Sequence, residues 1–314
     1  MKEHRLGKIL VFCCMIFALG LMSFVEVLDN YDSNSLVEEP GSDTLSYIFL
    51  GHTYNFKPTG PRVDPRVVAI DKSKFSRIWL GGDICSEAFL KKSTVLHMDS
   101  VFSLSSNTTQ YALGNHDIRN GNIEWYSEIC GKPTYNAYSA NGAVSICMNS
   151  MLNPGLCPQL NAQYKFIKSI CDTITESTHL FIFHHAGLWE RVPGLPPSAT
   201  YCHSNFNYWN ANCDSSTTYY ENTIYQLLKQ VRNRGIKVYC IMGDSGTGSL
   251  KGWHRENADS IHFFASGLYN SKYSHDSVLY ASQIPDSALI FTHDLINKTV
   301  DWRYQSIDSL LNEQ

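Results

Sequence analysis

The chain has 314 residues, 43% of them hydrophobic and 17% charged, with a formal net charge of -4. That length allows one large domain or two small ones, and the composition excludes a disordered chain. An acidic balance without a Lys/Arg stripe offers no basic surface, so no nucleic-acid partner is expected.

The N-terminus differs from the rest. Residues 1–8 carry Lys2, His4, Arg5 and Lys8 and read as a basic cytoplasmic tail. Ile9 to Val25 is uncharged, and residues 9–28 read as a transmembrane signal-anchor near the minimum bilayer-spanning length. A basic flank held in the cytoplasm places the remainder across the membrane, in the periplasm, a lumen or the exterior. The competing reading is a signal peptide cut near Ala18-Leu19-Gly20, which would give a secreted protein. The apolar run continues to Phe24 and Val25, which favours the anchor. Residues 29–44 read as an acidic polar linker, and 45–314 as the folded domain.

From Leu45 short apolar runs recur, each closed by Gly, Asn or Asp: SYIFLGH, FSRIWLGGD, TQYALGNHD, AVSICMNS, HLFIFHH, KVYCIMGD and SIHFFASG. These are strand signals. Asn161 to Cys171 and Thr217 to Arg234 space their apolar residues at helical intervals, with Ile224, Leu227, Leu228 and Val231 on one stripe of the latter. Strands alternating with helices predict an α/β fold, a mixed sheet covered by helices. Four runs end directly in Asp83, in Asn115-His116-Asp117, in His184-His185 and in Asp244. Side chains at the carboxyl ends of strands converge, so these predict one site.

The remaining features read more plainly. Cys202 and Cys213 flank a loop-like stretch and are expected to form a local disulfide if the domain is extracytosolic. Cys85, Cys147 and Cys240 read as small buried thiols. Asn107-Thr108-Thr109 and Asn297-Lys298-Thr299 are glycosylation sequons, relevant only in a eukaryotic secretory pathway. The stretch Leu188–Ser216 reads as a lid or a surface loop, with Trp189, Tyr201 and Trp209 able to stack on a sugar or base. His179 is expected to face solvent, and His97, His203, His254, His262, His275 and His293 to be structural or superficial.

Gly82-Asp83, Gly114-Asn115-His116-Asp117 and His184-His185, in that order after an N-terminal strand, resemble the calcineurin-like metallophosphoesterases. The resemblance runs from about Tyr47 to Gly267, and Ser145–Asn149 with Gln163 continue it. It implies an α/β sandwich of two mixed β-sheets flanked by helices, with the site at one rim. Both outer blocks depart from the family's pattern. The opening Asp-x-His is Gly51-His52-Thr53, and the closing Gly-His-x-His is Gly243-Asp244-Ser245-Gly246.

The resemblance implies one metal position held by Asp83, Asn115, His184 and Asp244. The second, at Gly51, Thr53, Asp83 and Gly246, keeps only its shared carboxylate, with His52 as a candidate substitute. Carboxylate, amide and imidazole donors suit Mn, Fe or Zn, and one ion is expected rather than two. Such an ion would lower the pKa of bound water towards about 7 and neutralise charge at phosphorus. His116 carries the family's acid or phosphate-positioning role, and Asp117 would orient His116 or another His. The expected function is metal-dependent hydrolysis of a small phosphorylated substrate by a membrane-tethered domain. The alternative is a catalytically degenerate member acting as a binding or scaffold module.

Overall fold

The computed structural model describes residues 42–54, 63–152, 156–197, 213, 219–245, 252–268 and 285–313. The basic tail and the expected signal-anchor at 9–28 lie outside the described residues. Among the described residues no helix is long and apolar enough to cross a membrane. The single-pass membrane placement and the extracytosolic localisation drawn from it are therefore withdrawn.

The first sheet joins β1 (Thr44–Leu50), β2 (Arg77–Leu80), β3 (Thr109–Tyr111), β10 (Ser287–Asp294) and β11 (Thr299–Ser306) in the order β11-β10-β1-β2-β3. The second joins β4 (Asn136–Ala140), β5 (Ala143–Cys147), β6 (His179–His184), β7 (Lys237–Met242), β8 (Gly252–Glu256) and β9 (Ile261–Ser266) in the order β4-β5-β6-β7-β9-β8. In each sheet the central pairs, β1–β2 and β6–β7, are parallel; antiparallel strands close both edges of the second sheet and the β10–β11 edge of the first, whose other edge, β3, is parallel to β2. This is the sandwich of two mixed sheets flanked by helices that the sequence predicted.

Alternation along the strands builds three layers of core, because successive side chains leave opposite faces. Tyr47, Phe49, Trp79, Phe181, Phe183, Tyr239, Ile241, Phe264 and Phe291 fill the space between the sheets. The alternate residues point outward under helices. Ile48, Leu50, Ile78 and Leu80 pack beneath α1 (Pro65–Ala69), α2 (Lys92–Phe102), the short α3 (Asn115–Ile118), α4 (Glu124–Cys130) and α7 (Ile307–Asn312). Leu180, Ile182, Val238 and Cys240 pack beneath α5 (Cys157–Thr173) and α6 (Ile224–Asn233). The inner layer is aromatic: Trp79 and Tyr239 lie 4.8 and 4.9 Å from the Phe181 ring. Each such buried ring contributes about 1.5–3 kcal/mol of apolar transfer.

Several expectations change. Cys213 bonds Cys157 across 56 residues of chain rather than Cys202, which lies outside the described residues. Cys85, Cys147 and Cys240 are buried thiols as expected. Trp189 is no stacking platform; it is buried, with its ring 5.4 Å from His184 and 5.0 Å from Phe263. Tyr201 and Trp209 lie outside the described residues, as do His203 and His275. His179 does not face solvent but sits buried in β6 beside His293, because both faces of that strand are covered.

Candidate functional site

The two sheets close on each other at the carboxyl ends of β1, β2, β6 and β7, and glycine makes the closure possible. Gly51, Gly81 and Gly243 follow the inward-facing positions of β1, β2 and β7, where a side chain would lie between the sheets. A Cβ on Gly51 would stand 2.5 Å from the Gly243 carbonyl oxygen, and one on Gly81 2.8 Å from the Gly243 Cα. Leu268 N–H donates to the Gly51 carbonyl at 3.0 Å and His52 N–H to that of Gly82 at 2.9 Å. The rim is therefore a backbone weld, and the side chains just past it are thrown into one cluster.

Two of those side chains leave a left-handed backbone: His52 at φ 57° and Asp83 at φ 53°. Each such position costs on the order of 1 kcal/mol or more for a residue with a Cβ and persists only where its surroundings enforce it. Asp117 helps enforce it. Its buried carboxylate accepts the N–H groups of Asp83 (2.7 Å), Ile84 (3.2 Å) and Gly114 (2.8 Å). Asp117 thus holds the turn that presents Asp83 through backbone contacts, where the expectation was that it would orient His116 or another His. Asp83 Oδ1 in turn accepts the His116 N–H at 2.8 Å.

At the centre His52 Nε2 lies 3.1 Å from Asp83 Oδ2 and 3.5 Å from Asp244 Oδ1. His185 Nε2 approaches the same two oxygens at 3.5 and 3.8 Å. The two imidazoles are parallel, tilted by 4° with centroids 6.1 Å apart, and clasp the carboxylates between them. His185 Nδ1 donates to the Gly81 carbonyl at 2.8 Å, and its Nε2 contacts Asn115 Oδ1 at 3.0 Å. His116 stands at the mouth, half-buried, 4.0 Å from Asp83 Oδ2 and stacked on Tyr54 with centroids 4.9 Å apart.

Of the expected set, the structure brings together His52, Asp83, Asn115, His116 and Asp244. It adds His185 and turns His184 away. In β6, Phe181 and Phe183 face the other sheet while Leu180 and Ile182 face α5 and α6. His184 shares the parity of the second pair and lodges against Trp189 and Tyr220. His185 falls on the inner face. That parity was readable in principle, but β6 is apolar on both faces, so no alternation marked which one looks inward.

The electrostatics follow from the packing. Burial works against ionisation of Asp83, but the facing rings of His185, His52 and His116 outweigh it and hold the carboxyl well below its usual range. Burial likewise opposes charge on His185, and Asp83 and Asp244 overcome it, raising that ring. Burial lowers His116 despite Asp83 nearby. Burial and the Asp83 charge push Asp117 up to about 7.

Whether these residues fit the expected ion can be read from the same contacts. Among the described residues the second position lacks side-chain donors beyond Asp83: position 51 has no room for a side chain, and Thr53 Oγ1 donates to the Ile84 carbonyl at 3.0 Å. Gly246 lies outside the described residues. At the first position, the expected ligand Asn115 is in contact with His185, and His52 is lodged on the two carboxylates. Among the described residues no group of three or more His, Cys, Asp or Glu could hold a metal ion. The residues as arranged do not fit the Mn, Fe or Zn expected, and no chemistry is routed through one.

No family model matches this sequence, and no curated protein does. Among solved structures, it is similar to Vacuolar Protein Sorting 29 from Cryptosporidium parvum, with a TM-score of 0.35 and 11% identity over 83% of this chain and 97% of that one. A single mutant of Vps29 from Entamoeba histolytica gives 0.32 and 10% over 83% and 98%. Vps29 from Chaetomium thermophilum gives 0.33 and 9% over 83% and 96%. Likenesses this weak carry no argument about the site.

Proposed function

We propose that this chain is a degenerate metallophosphoesterase-type domain that serves as a binding or scaffold module. The observation that supports it is the closed rim: Gly51 lies against Gly243 and His52 occupies the space between Asp83 and Asp244. Metal-assisted phosphoester hydrolysis gains most from paired cations that hold the attacking and leaving oxygens. Here the Gly51 end of the second position is filled by packed backbone, and His52 stands against both remaining carboxylates.

One observation favours the hydrolytic reading. His116 keeps a half-exposed ring at the mouth, and its Nδ1 finds no hydrogen-bond partner among the described residues. Burial disfavours the charged form of that ring, and a ring at the mouth can position a phosphoryl oxygen or an attacking water. The two readings separate on an assay of aryl phosphate mono- and diesters with added Mn²⁺. The binding reading expects turnover no higher than that of His116→Ala. A wild-type rate exceeding that variant by about 10²–10⁴-fold, the usual contribution of a general acid, would overturn it.

A further inference from the structure

We infer that the His52 side chain is a built-in replacement for a cation, tying Asp83 of one sheet to Asp244 of the other and blocking divalent ions from the place between them. It rests on the same closed rim as the proposed function but concerns a different property, occupancy of the cluster rather than turnover.

Three observations converge on it. Asp83 follows β2 and Asp244 follows β7, so each sheet delivers one buried carboxylate to the junction. Two such groups facing each other repel strongly in a medium of low dielectric unless something positive or hydrogen-bearing sits between them. His52 Nε2 stands against both, 3.1 Å from Asp83 Oδ2 and 3.5 Å from Asp244 Oδ1, within ion-pair distance of each. Its other nitrogen, Nδ1, is buried and has no hydrogen-bond partner among the described residues. Finally, the ring leaves a left-handed backbone at residue 52, φ 57°. A conformation that disfavours any residue with a Cβ is retained where it delivers a side chain to a required point.

Removing the ring would leave a gap faced by Asp83 Oδ2, Asp244 Oδ1 and His185 Nε2. Those donors belong to classes that bind Mn²⁺ and Zn²⁺. Glycine is the informative replacement, because it accepts the left-handed backbone and removes nothing but the side chain. We therefore expect wild-type protein to take up no Mn²⁺ or Zn²⁺ at the cluster. His52→Gly should be less stable, with a midpoint lower by at least about 2–4 °C. It should then bind one ion per chain and regain the lost midpoint when that ion is added.

Elemental analysis of desalted protein, paired with thermal unfolding with and without Mn²⁺, reads both quantities without reference to activity. Ion uptake by wild type equal to that of His52→Gly would overturn the inference, as would a folded His52→Gly that binds none. His52→Asn, which also tolerates the left-handed backbone, repeats the measurement if the glycine variant does not fold. Failure of both to fold with Mn²⁺ present would show that a cation cannot replace the ring and would sink the idea. Phosphoesterase turnover by wild type would instead count against the proposed function and leave this measurement to be read separately.

Discussion

Gly243 and Gly81 meet backbone to backbone where the sheets join: a Cβ on Gly243 would stand 1.8 Å from the Gly81 carbonyl oxygen. The colliding partner is main chain just past β2 in the other sheet, so no rotamer change relieves it. Gly243→Ala should therefore exceed the usual 1–3 kcal/mol of overpacking, costing about 3 kcal/mol or more, because it must part the sheets at the rim. Urea unfolding checks this through the midpoint. A loss below about 0.5 kcal/mol would mean that the two rims do not touch.

Asp117 offers a sharper distinction between a supporting and a chemical role. Replacing it with Ala strands three buried N–H donors, those of Asp83, Ile84 and Gly114. Each orphan costs on the order of 1–3 kcal/mol, so Asp117→Ala should lose about 3–5 kcal/mol in denaturant titration. Asp117→Asn keeps one acceptor oxygen and should lose roughly half of that. Equal losses for the two variants would remove the backbone contacts as the explanation.

Much of this was legible from residues. The runs ending at Gly51, Gly82-Asp83, Gly114-Asn115, His184-His185 and Gly243-Asp244 did mark strands whose ends converge, because apolar runs broken by Gly and Asp have few other uses. The hairpin of β10 and β11 was missed although Ala288 to Phe291 is apolar; it ends in no site-like residue and lies beyond the family's motifs. The choice between His184 and His185 depended on strand parity, which a strand buried on both faces does not display. The role of His52 was open for a different reason. Its reach depends on a positive φ at one residue, and sequence assigns that safely only to glycine and, less so, Asn or Asp.

The Cys157–Cys213 bond closes a stretch 56 residues long, from the start of α5 to a point beyond Trp189. On chain-entropy grounds a loop of that size contributes about 4 kcal/mol by restricting the unfolded chain. Reduction under native conditions, or Cys157→Ser with Cys213→Ser, should lower the urea midpoint accordingly while leaving β6 and β7 paired, since their register does not involve either cysteine. Mass spectrometry after alkylation without reductant checks the pairing itself, and a Cys202–Cys213 peptide would refute it.

The clearest pH dependence comes from His184, the ring turned away from the site. Burial pushes it down to about 3 from 6.5, and both ring nitrogens lack hydrogen-bond partners among the described residues. Below about pH 6.5 the unfolded chain takes up a proton that the folded chain refuses, so stability falls as pH drops from 6.5 towards 3. Each pH unit across that window is worth at most about 1.4 kcal/mol. A hydrophobic side chain of similar size removes the proton site and fits the surroundings of Trp189 and Tyr220. His184→Leu should match wild type within about 1 kcal/mol at pH 8 and exceed it by about 2 kcal/mol at pH 5. Parallel urea titrations at the two pH values decide it. If His184→Leu kept the full acid sensitivity of wild type, the responsible group would lie elsewhere. His179, which burial and the neighbouring His293 also push down to about 3, would be the next ring to replace.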